Sequence, residues 1–458
     1  MCEIALHHQN NYVMQHQQAQ QSPNEVTYFL EASVFQWEIS NGKTIEAWGF
    51  NRQLPGPELR AKKGDTLVVK VKNNLPEPTI IHWHGIRLEA AMDGTGKVQD
   101  PIQPGEVFEY RFQLPDAGTF WYHSHYNETV QMERGMYGSL IVEDESDPTF
   151  DNDRVIMLDD MKLTKDNRFL TGNRIQRFIE RHDGREGNVN LVNGKEQPVI
   201  NVNAGQTDRW RFINASSARY IRLHLQGRSF KIISTDGGLI QQPETATEVL
   251  LTPGERVDIV TDQLLEGESF GIEGLPYNRV TFLRPKKHLY GKVVAGDKQT
   301  TRAFLPRQLR TIEALAPQHA PVSRKVKLSV GPSLKNGLEF LVNNDVHVVD
   351  KPVNLGELQV WEVANASLMD HPFHLHGFFF QVIEENGKAP ATITWKDTYN
   401  LKPRTRVKMA WMPDRVGTWM YHCHILEHHE AGMMATFEVI DPQAPSVPKK
   451  HHAHCSTK

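Results

Sequence analysis

The chain has 458 residues, 39% of them hydrophobic, with 51 Lys and Arg against 55 Asp and Glu, three Cys and 22 His. That length suggests about three domains at roughly 150 residues each, and the apolar fraction is enough for packed cores, which excludes a wholly disordered chain. A net charge of −4 argues against a nucleic-acid surface, no apolar run approaches the ~18 residues of a membrane span, and three Cys cannot frame a disulfide-stapled module.

Residues 1–24 are polar and Gln-rich. They show no apolar h-region, so no secretory signal peptide is visible in this chain, and a cytoplasmic location or a processed form would each account for that. From there on the chain repeats itself. Residues 48–73, 191–214 and 341–365 each carry a Gly (Gly64, Gly205, Gly356) before an alternating apolar and polar strand, and an Asn nine residues after the Gly (Asn73, Asn214, Asn365). A second element follows each first one, running from Pro to Gly over 104–118, 253–267 and 403–417. Period-two alternation punctuated by Pro and Gly indicates short β-strands and turns. The chain therefore divides into three β-rich units of one type, about 25–145, 150–300 and 322–441, with 145–153 and 313–322 as linkers and 442–458 as a tail. β-Sandwiches or Greek-key barrels are expected, with few helices.

The histidines fall at fixed offsets in this repeat. Nine and eleven residues after the Asn stand His82 and His84 in the first copy and His374 and His376 in the third, against Leu223 and Leu225 in the second. Five and seven residues after the closing Gly stand His123 and His125, then His422 and His424, against Ile272 and Gly274. On a strand, residues i and i+2 share a face, so each pair presents two imidazoles together. Two such units facing each other would gather eight imidazoles at one interface, a density that means metal, with Cu, Zn and Fe all suited to it.

Cys423 lies between His422 and His424, and strand alternation points it the other way. With His371, His428 and Met433 it makes a His₂Cys set with a weak axial thioether, the combination of a blue-copper electron-transfer site; thioether is a poor zinc ligand. A single tripeptide thus joins two sites on opposite faces.

The motifs HWHG, HSH, HPFHLHG and HCHILEHHEAGM together resemble those of the multicopper oxidases, in particular the three-domain bacterial laccases, over nearly the whole chain between its tails. The resemblance implies an all-β fold of three tandem cupredoxin-like domains and four copper ions. His371, Cys423 and His428 would hold the type 1 copper with Met433 axial, and His82 and His374 the type 2 copper. His84, His125 and His424 would bind one ion of the type 3 pair, and His123, His376 and His422 the other. It also implies one-electron oxidation of substrate near the type 1 site, with four electrons passing through Cys423 to reduce O₂ to water. Asp93 matches an acid that the family keeps by the trinuclear cluster as a proton relay, a turn-forming Asp-Gly being the alternative. Asp397 in WKDT matches a family motif and would orient type 1 ligands through a second contact. One departure stands out: the residue after the type 1 His is commonly Glu in the bacterial relatives and here is His429, followed by Glu430. Either is expected to substitute as the second proton group.

The partners so implied are a phenolic or other small one-electron donor and O₂, with no nucleic acid and no membrane span, and a monomer is expected. Oxidation of Cu(I) for copper tolerance is the alternative activity, bilirubin oxidation a narrower variant, and a non-enzymatic scaffold fits poorly with a complete ligand set. Met-rich insertions accompany the cuprous oxidases; residues 278–312 hold no Met, though Met369 and Met434 could offer soft ligands. Export is the family's habit. Cys2 and Cys455 sit in the tails, as two free thiols or a disulfide, and the His-rich end of the C-terminal tail is either disordered or a metal scavenger.

An axial thioether stabilises oxidised copper, so the type 1 potential should be low to intermediate, and Met433→Leu should raise it on redox titration. A fall would remove Met433 from the ligand set.

Overall fold

The computed structural model describes residues 24–444, save 171, 280, 283 and 334–336. The Cys2 and Cys455 thiols and the His-rich end of the C-terminal tail lie outside these residues. Strand accounts for about 51% and helix for about 5%, so the fold is all-β, with cupredoxin-like domains.

The strands form six sheets, two to each repeat. In the first sheet of each pair an opening strand runs parallel to the strand that ends in the repeat Asn: Glu25–Ser40 beside Thr66–Asn73, Asn152–Met161 beside Asp208–Asn214, and Arg324–Ser333 beside Gln359–Asn365. The strand of the second repeat element pairs antiparallel on the other side, as Val107–Gln113, Arg256–Thr261 and Arg406–Trp411. The second sheet of each pair carries the histidine strands or their counterparts. Each sandwich closes on its own apolar core, around Trp83 and Tyr122, around Phe212 and Tyr290, and around Trp361 and Trp411. A further cluster, including Trp121, Met161 and Leu426, joins side chains from all three repeats.

The repeat Asn has a physical reason. Each is buried, and its side chain ties the corner where the chain leaves one sheet for the other. Asn73 Nδ2 donates to the Glu77 and Ile102 carbonyls, Asn214 Nδ2 to Arg219 and Leu251, and Asn365 Nδ2 to Met369 and Leu401, while each Oδ1 accepts a backbone N–H two residues on. The Asn backbone meanwhile bonds the Pro-Gly-Glu turns, through Gly105 and Gly254 to the Asn73 and Asn214 carbonyls. The two repeat elements therefore meet at one corner.

This corner corrects the offset in the middle copy. The anchored carbonyl lies four residues after Asn73 and Asn365 but five after Asn214. One extra residue there shifts the register, and a one-residue slip exchanges the faces of a strand. Leu223 and Leu225 consequently face the core. The position equivalent to His82 and His374 is His224, whose ring contacts the Thr247 carbonyl on the outer face. Sheet pairing agrees: His371 lies opposite Leu401 as Ile221 lies opposite Leu251. The middle copy still lacks the paired histidines.

In the other two copies the strands Ile81–His84, Gly118–Ser124 and His371–Leu375 are buried on both faces. Trp83 and Phe373 point into their own cores, leaving the flanking histidines for the interface between the first and third sandwiches. Among the described residues the longest helix is Arg174–Asp183. Arg174–Asp183 opens with a capping box in which Asn173 and Gln176 exchange side-chain and backbone hydrogen bonds. Among the described residues no helix is long and apolar enough to cross a membrane.

Asn214→Ala would strand the Arg219 and Leu251 carbonyls and the Ser216 N–H. The expected cost is about 1–3 kcal/mol, read as a lower urea midpoint.

Candidate metal centre

Cys423 ends the strand Gly417–Cys423, opposite Phe373 on the strand His371–Leu375. The short helix Leu426–Glu430 then turns His428 back towards it. Cys423 Sγ lies 3.5 Å from His371 Nδ1 and 3.6 Å from His428 Nδ1, and the two nitrogens are 3.2 Å apart. All three side chains are fully buried. Their far nitrogens are tied: His371 Nε2 to Ser367 Oγ at 2.9 Å, and His428 Nε2–H donating to the His182 carbonyl at 3.0 Å. Phe340 stacks on His428 at 3.9 Å. Met433 is buried in the same cluster, its backbone bonded to both His428 and Cys423. Burial pushes the Cys423 thiol up to about 12 and the His371 imidazole down to about 3. A thiolate here requires a cation beside it.

The other eight histidines converge on the opposite face of the same tripeptide, as alternation requires. His82 stacks on His376 at 4.0 Å and His84 on His374 at 3.8 Å across the sandwich interface. His84, His123 and His424 form one group, their rings 5.0 to 5.7 Å apart. His125, His376 and His422 form the other, and each of those offers a nitrogen within 4.8 Å of the rest. This exchanges His123 and His125 relative to the grouping expected from the sequence. His123 pairs with His82 in the sheet register, whereas His125 lies beyond the strand end and turns towards His422. His82 and His374, 5.8 Å apart, stand between the groups.

Of these eight rings, all but His424 are tied through at least one nitrogen. His82 Nδ1 donates to the Asp93 carbonyl at 2.7 Å, His374 Nδ1 to that of Asp397 at 3.0 Å, and His123 and His422 Nδ1 to the next carbonyls along the chain at 2.9 Å. His376 Nδ1 meets Asp93 Oδ2 at 2.9 Å, and His125 Nδ1 meets Glu128 Oε1 at 2.8 Å. The opposite nitrogens of His82, His84, His123, His125 and His374 are buried without a hydrogen-bond partner, as are both of His424. Buried polar atoms are almost always paired, so this many inward-facing nitrogens fit bound metal. Burial and neighbouring imidazoles hold His82, His84, His374, His376, His422 and His424 well below their ordinary range, in the neutral form that ligates.

The acids fall differently from expectation. Asp93 does lie at the cluster, through both its carbonyl and its carboxylate, and burial raises its carboxyl to about 7. Glu430 does not: it is exposed, and its Oε2 accepts from Thr129 Oγ1. His429 stacks on His422 at 4.3 Å, and its Nδ1 meets Glu128 Oε2 at 2.9 Å. The buried carboxylate at this point is therefore Glu128, contributed by the first sandwich and held between His125 and His429. Burial opposes its ionisation, but the two imidazoles win and keep it well below the carboxylate range. The signal the sequence offers is a carboxylate three residues after His125, at the start of the short helix Glu128–Gln131.

Asp397 lies beside the eight-histidine cluster rather than the Cys423 site. Its Oδ1 is 3.2 Å from His84 Nε2, and Arg256 of the middle sandwich grips both its oxygens at 2.7 and 2.6 Å. Gly254 sits against the cluster as well: with φ +89°, a Cβ there would lie 2.8 Å from His424 and 3.0 Å from His84. Only glycine fits.

Models of the family described as multicopper oxidase match residues 31–147, 119–266 and 315–443. The chain is 30% identical to the multicopper oxidase mco of Staphylococcus aureus, over 90% of this chain and 88% of the relative. It is 28% identical to Laccase-2 of Cryptococcus neoformans, covering 87% and 81%. Among solved structures, a multicopper oxidase from Campylobacter jejuni described as a metallo-oxidase superposes with a TM-score of 0.81 at 30% identity, covering 92% of this chain and 93% of that one.

Glu128→Gln should lower turnover by about 10–100-fold in an oxygen-uptake assay of copper-loaded protein. Glu430→Gln, altering only a surface hydrogen bond, should leave turnover at the wild-type rate.

Proposed function

This chain belongs to the multicopper oxidase family, and we propose that it works within that family as a laccase-type enzyme, removing single electrons from phenols or aromatic amines. The family uses four coppers, one type 1, one type 2 and a type 3 pair, and the histidine clusters are compatible with that set. In this reading His371, Cys423, His428 and Met433 would hold the type 1 ion, and His82 and His374 the type 2 ion. The groups His84, His123, His424 and His125, His376, His422 hold the type 3 pair.

The observation that carries the donor class is the surface above His428. Its Nε2 meets the His182 carbonyl, and the His182 ring lies 4.7 Å from Phe282. Phe282 is 61% exposed, and Phe178, on the same helix as His182, is 41% exposed. An exposed aromatic against His182, whose carbonyl holds the ligand His428, suits an aromatic donor, which gains from stacking there. No methionine among the described residues is exposed, so none of them offers a fully exposed thioether for docking Cu(I). The cuprous-oxidase reading keeps two supports: the Campylobacter relative, and Met369, buried two residues before His371.

Bound copper supplies the one-electron and dioxygen-reducing chemistry that side chains lack. The protein's part is placement. The backbone of His422-Cys423-His424 joins the two sites by a few covalent bonds. Asp93, its carboxyl raised to about 7, can hold a proton beside His376 Nδ1, while the ionised Glu128 accepts from His125 Nδ1 and His429 Nδ1 at the edge of the buried cluster. The cluster's burial excludes bulk water from the rest. Export and a monomeric state, both drawn from the resemblance, complete the reading.

Oxygen uptake with a methoxyphenol and with Cu(I), measured in parallel, tests it. Uptake with the phenol is expected, with KM raised several-fold and kcat little altered in Phe282→Ala. Uptake with Cu(I) alone would replace the laccase reading by the cuprous one.

A further inference from the structure

The middle sandwich contributes no histidine to either cluster, yet one of its side chains is wired to both halves of the larger one. Arg256 is completely buried, and all five of its N–H groups are used. Nη1 donates to Asp397 Oδ1 at 2.7 Å and to the Gly254 carbonyl at 3.2 Å. Nη2 donates to Asp397 Oδ2 at 2.6 Å and to the Asp236 carbonyl at 3.0 Å, and Nε donates to the Thr119 carbonyl at 3.0 Å. Thr119 lies on the strand that carries His123, Gly254 and Asp236 belong to the middle sandwich, and Asp397 belongs to the third. A single guanidinium therefore joins all three.

What Asp397 does next bears on the ligands. Its Oδ1 also faces His84 Nε2 at 3.2 Å and accepts from Thr398 Oγ1 at 2.9 Å, and its carbonyl accepts from His374 Nδ1. A carboxylate that already accepts from Arg256 on both oxygens can offer His84 only acceptor lone pairs. His84 must then carry its proton on Nε2, which leaves Nδ1, buried and without a partner, aimed inward. The approach is close enough to dictate a second residue: at Gly85, φ +88°, a Cβ would lie 2.4 Å from Arg256 Nη2 and 2.7 Å from Asp397 Oδ2.

We propose that Arg256 is a positioning residue for the trinuclear cluster: by locking Asp397 it fixes the tautomer of His84 and the placement of His374, so that the ligand-free middle domain sets the geometry of a site made by the other two. The inference rests on the family's copper sites and not on the identity of the electron donor.

Arg256→Lys tests it, because an ammonium keeps the charge but has three donors and cannot grip a carboxylate with two parallel bonds. Copper per chain, the type 2 electron paramagnetic resonance spectrum and the blue type 1 band are read together on the purified full chain. The expected result is a loss of trinuclear copper affinity of about 10–100-fold and an altered type 2 spectrum, with the type 1 band retained as internal reference. Asp397→Asn should reproduce the defect, and the double variant should be no worse than either single one. Arg209→Lys serves as the control: Arg209 is an equally buried arginine that pairs with Asp258 and Asp147 and touches no histidine, so it should lose stability and keep full copper. Full copper and an unchanged type 2 spectrum in Arg256→Lys, with a loss of stability like the control's, would overturn the proposal. If Arg256→Lys does not fold, Asp397→Asn decides alone, and normal copper in it would equally overturn the proposal.

Discussion

Ten imidazoles and a thiol brought together away from water are unstable by themselves. Each buried ring nitrogen without a partner costs free energy, and a cluster of them cannot protonate without mutual repulsion. The arrangement persists because nearly every ring is tied down through one nitrogen, and because the nitrogens left facing inward can be answered by a cation. Most of the surrounding structure follows from this requirement. Carbonyls of Asp93, Ser124, Asp397, Cys423 and His182 and carboxylates of Asp93, Glu128 and Asp397 supply the ties. These partners come from strand ends, turns and helix ends.

The same requirement explains why the cluster needs a sandwich interface. A strand offers one face to its own core and one outwards, and outward histidines in a single domain would be hydrated. Setting Ile81–His84 against His371–Leu375 buries both outer faces and stacks His84 on His374 and His82 on His376. Period two then separates the chemistries without further machinery. His422 and His424 turn towards this interface, while Cys423, one residue away from each, enters the core of the third sandwich, where Phe340 and Met433 exclude water.

Much of this was legible from the chain alone, because strand periodicity converts an i, i+2 spacing into a shared face and because the repeat allowed the copies to be compared. What failed shares a cause. The counterpart of His82 in the middle copy was misread because one added residue between Asn214 and its anchored carbonyl shifts the register, and only the hydrogen bonds of the corner reveal it. Glu430 follows His429 in sequence and so invites the role, yet Leu426–Glu430 is a helix whose last residue turns outward, and the buried carboxylate comes from Glu128 of another sandwich. Asp397, expected to support the type 1 ligands, lies instead beside His84 and His374 at the other site. The exchange of His123 and His125 likewise depends on where a strand ends. Local pattern fixes faces; partners across sandwiches come from packing, which no local pattern carries.

The middle sandwich shows how far that packing reaches. A buried ion pair is weak support for stability because its desolvation offsets its attraction, and this region concentrates several: Arg256 with Asp397, Lys396 with Asp236 and Glu255, and Arg209 with Asp258. Their worth lies in geometry rather than in stability. A guanidinium with five filled donors has one orientation, and so has the carboxylate it grips, whereas an apolar contact of equal area would tolerate sliding. Gly85 and Gly254 are shaped to that fit, each at a positive φ and each too close to its neighbours for a side chain. A repeat that has no metal ligands would be free to diverge if it served only as a spacer; here its turn at 253–256 is held to the cluster by contacts that leave no room for one methyl group.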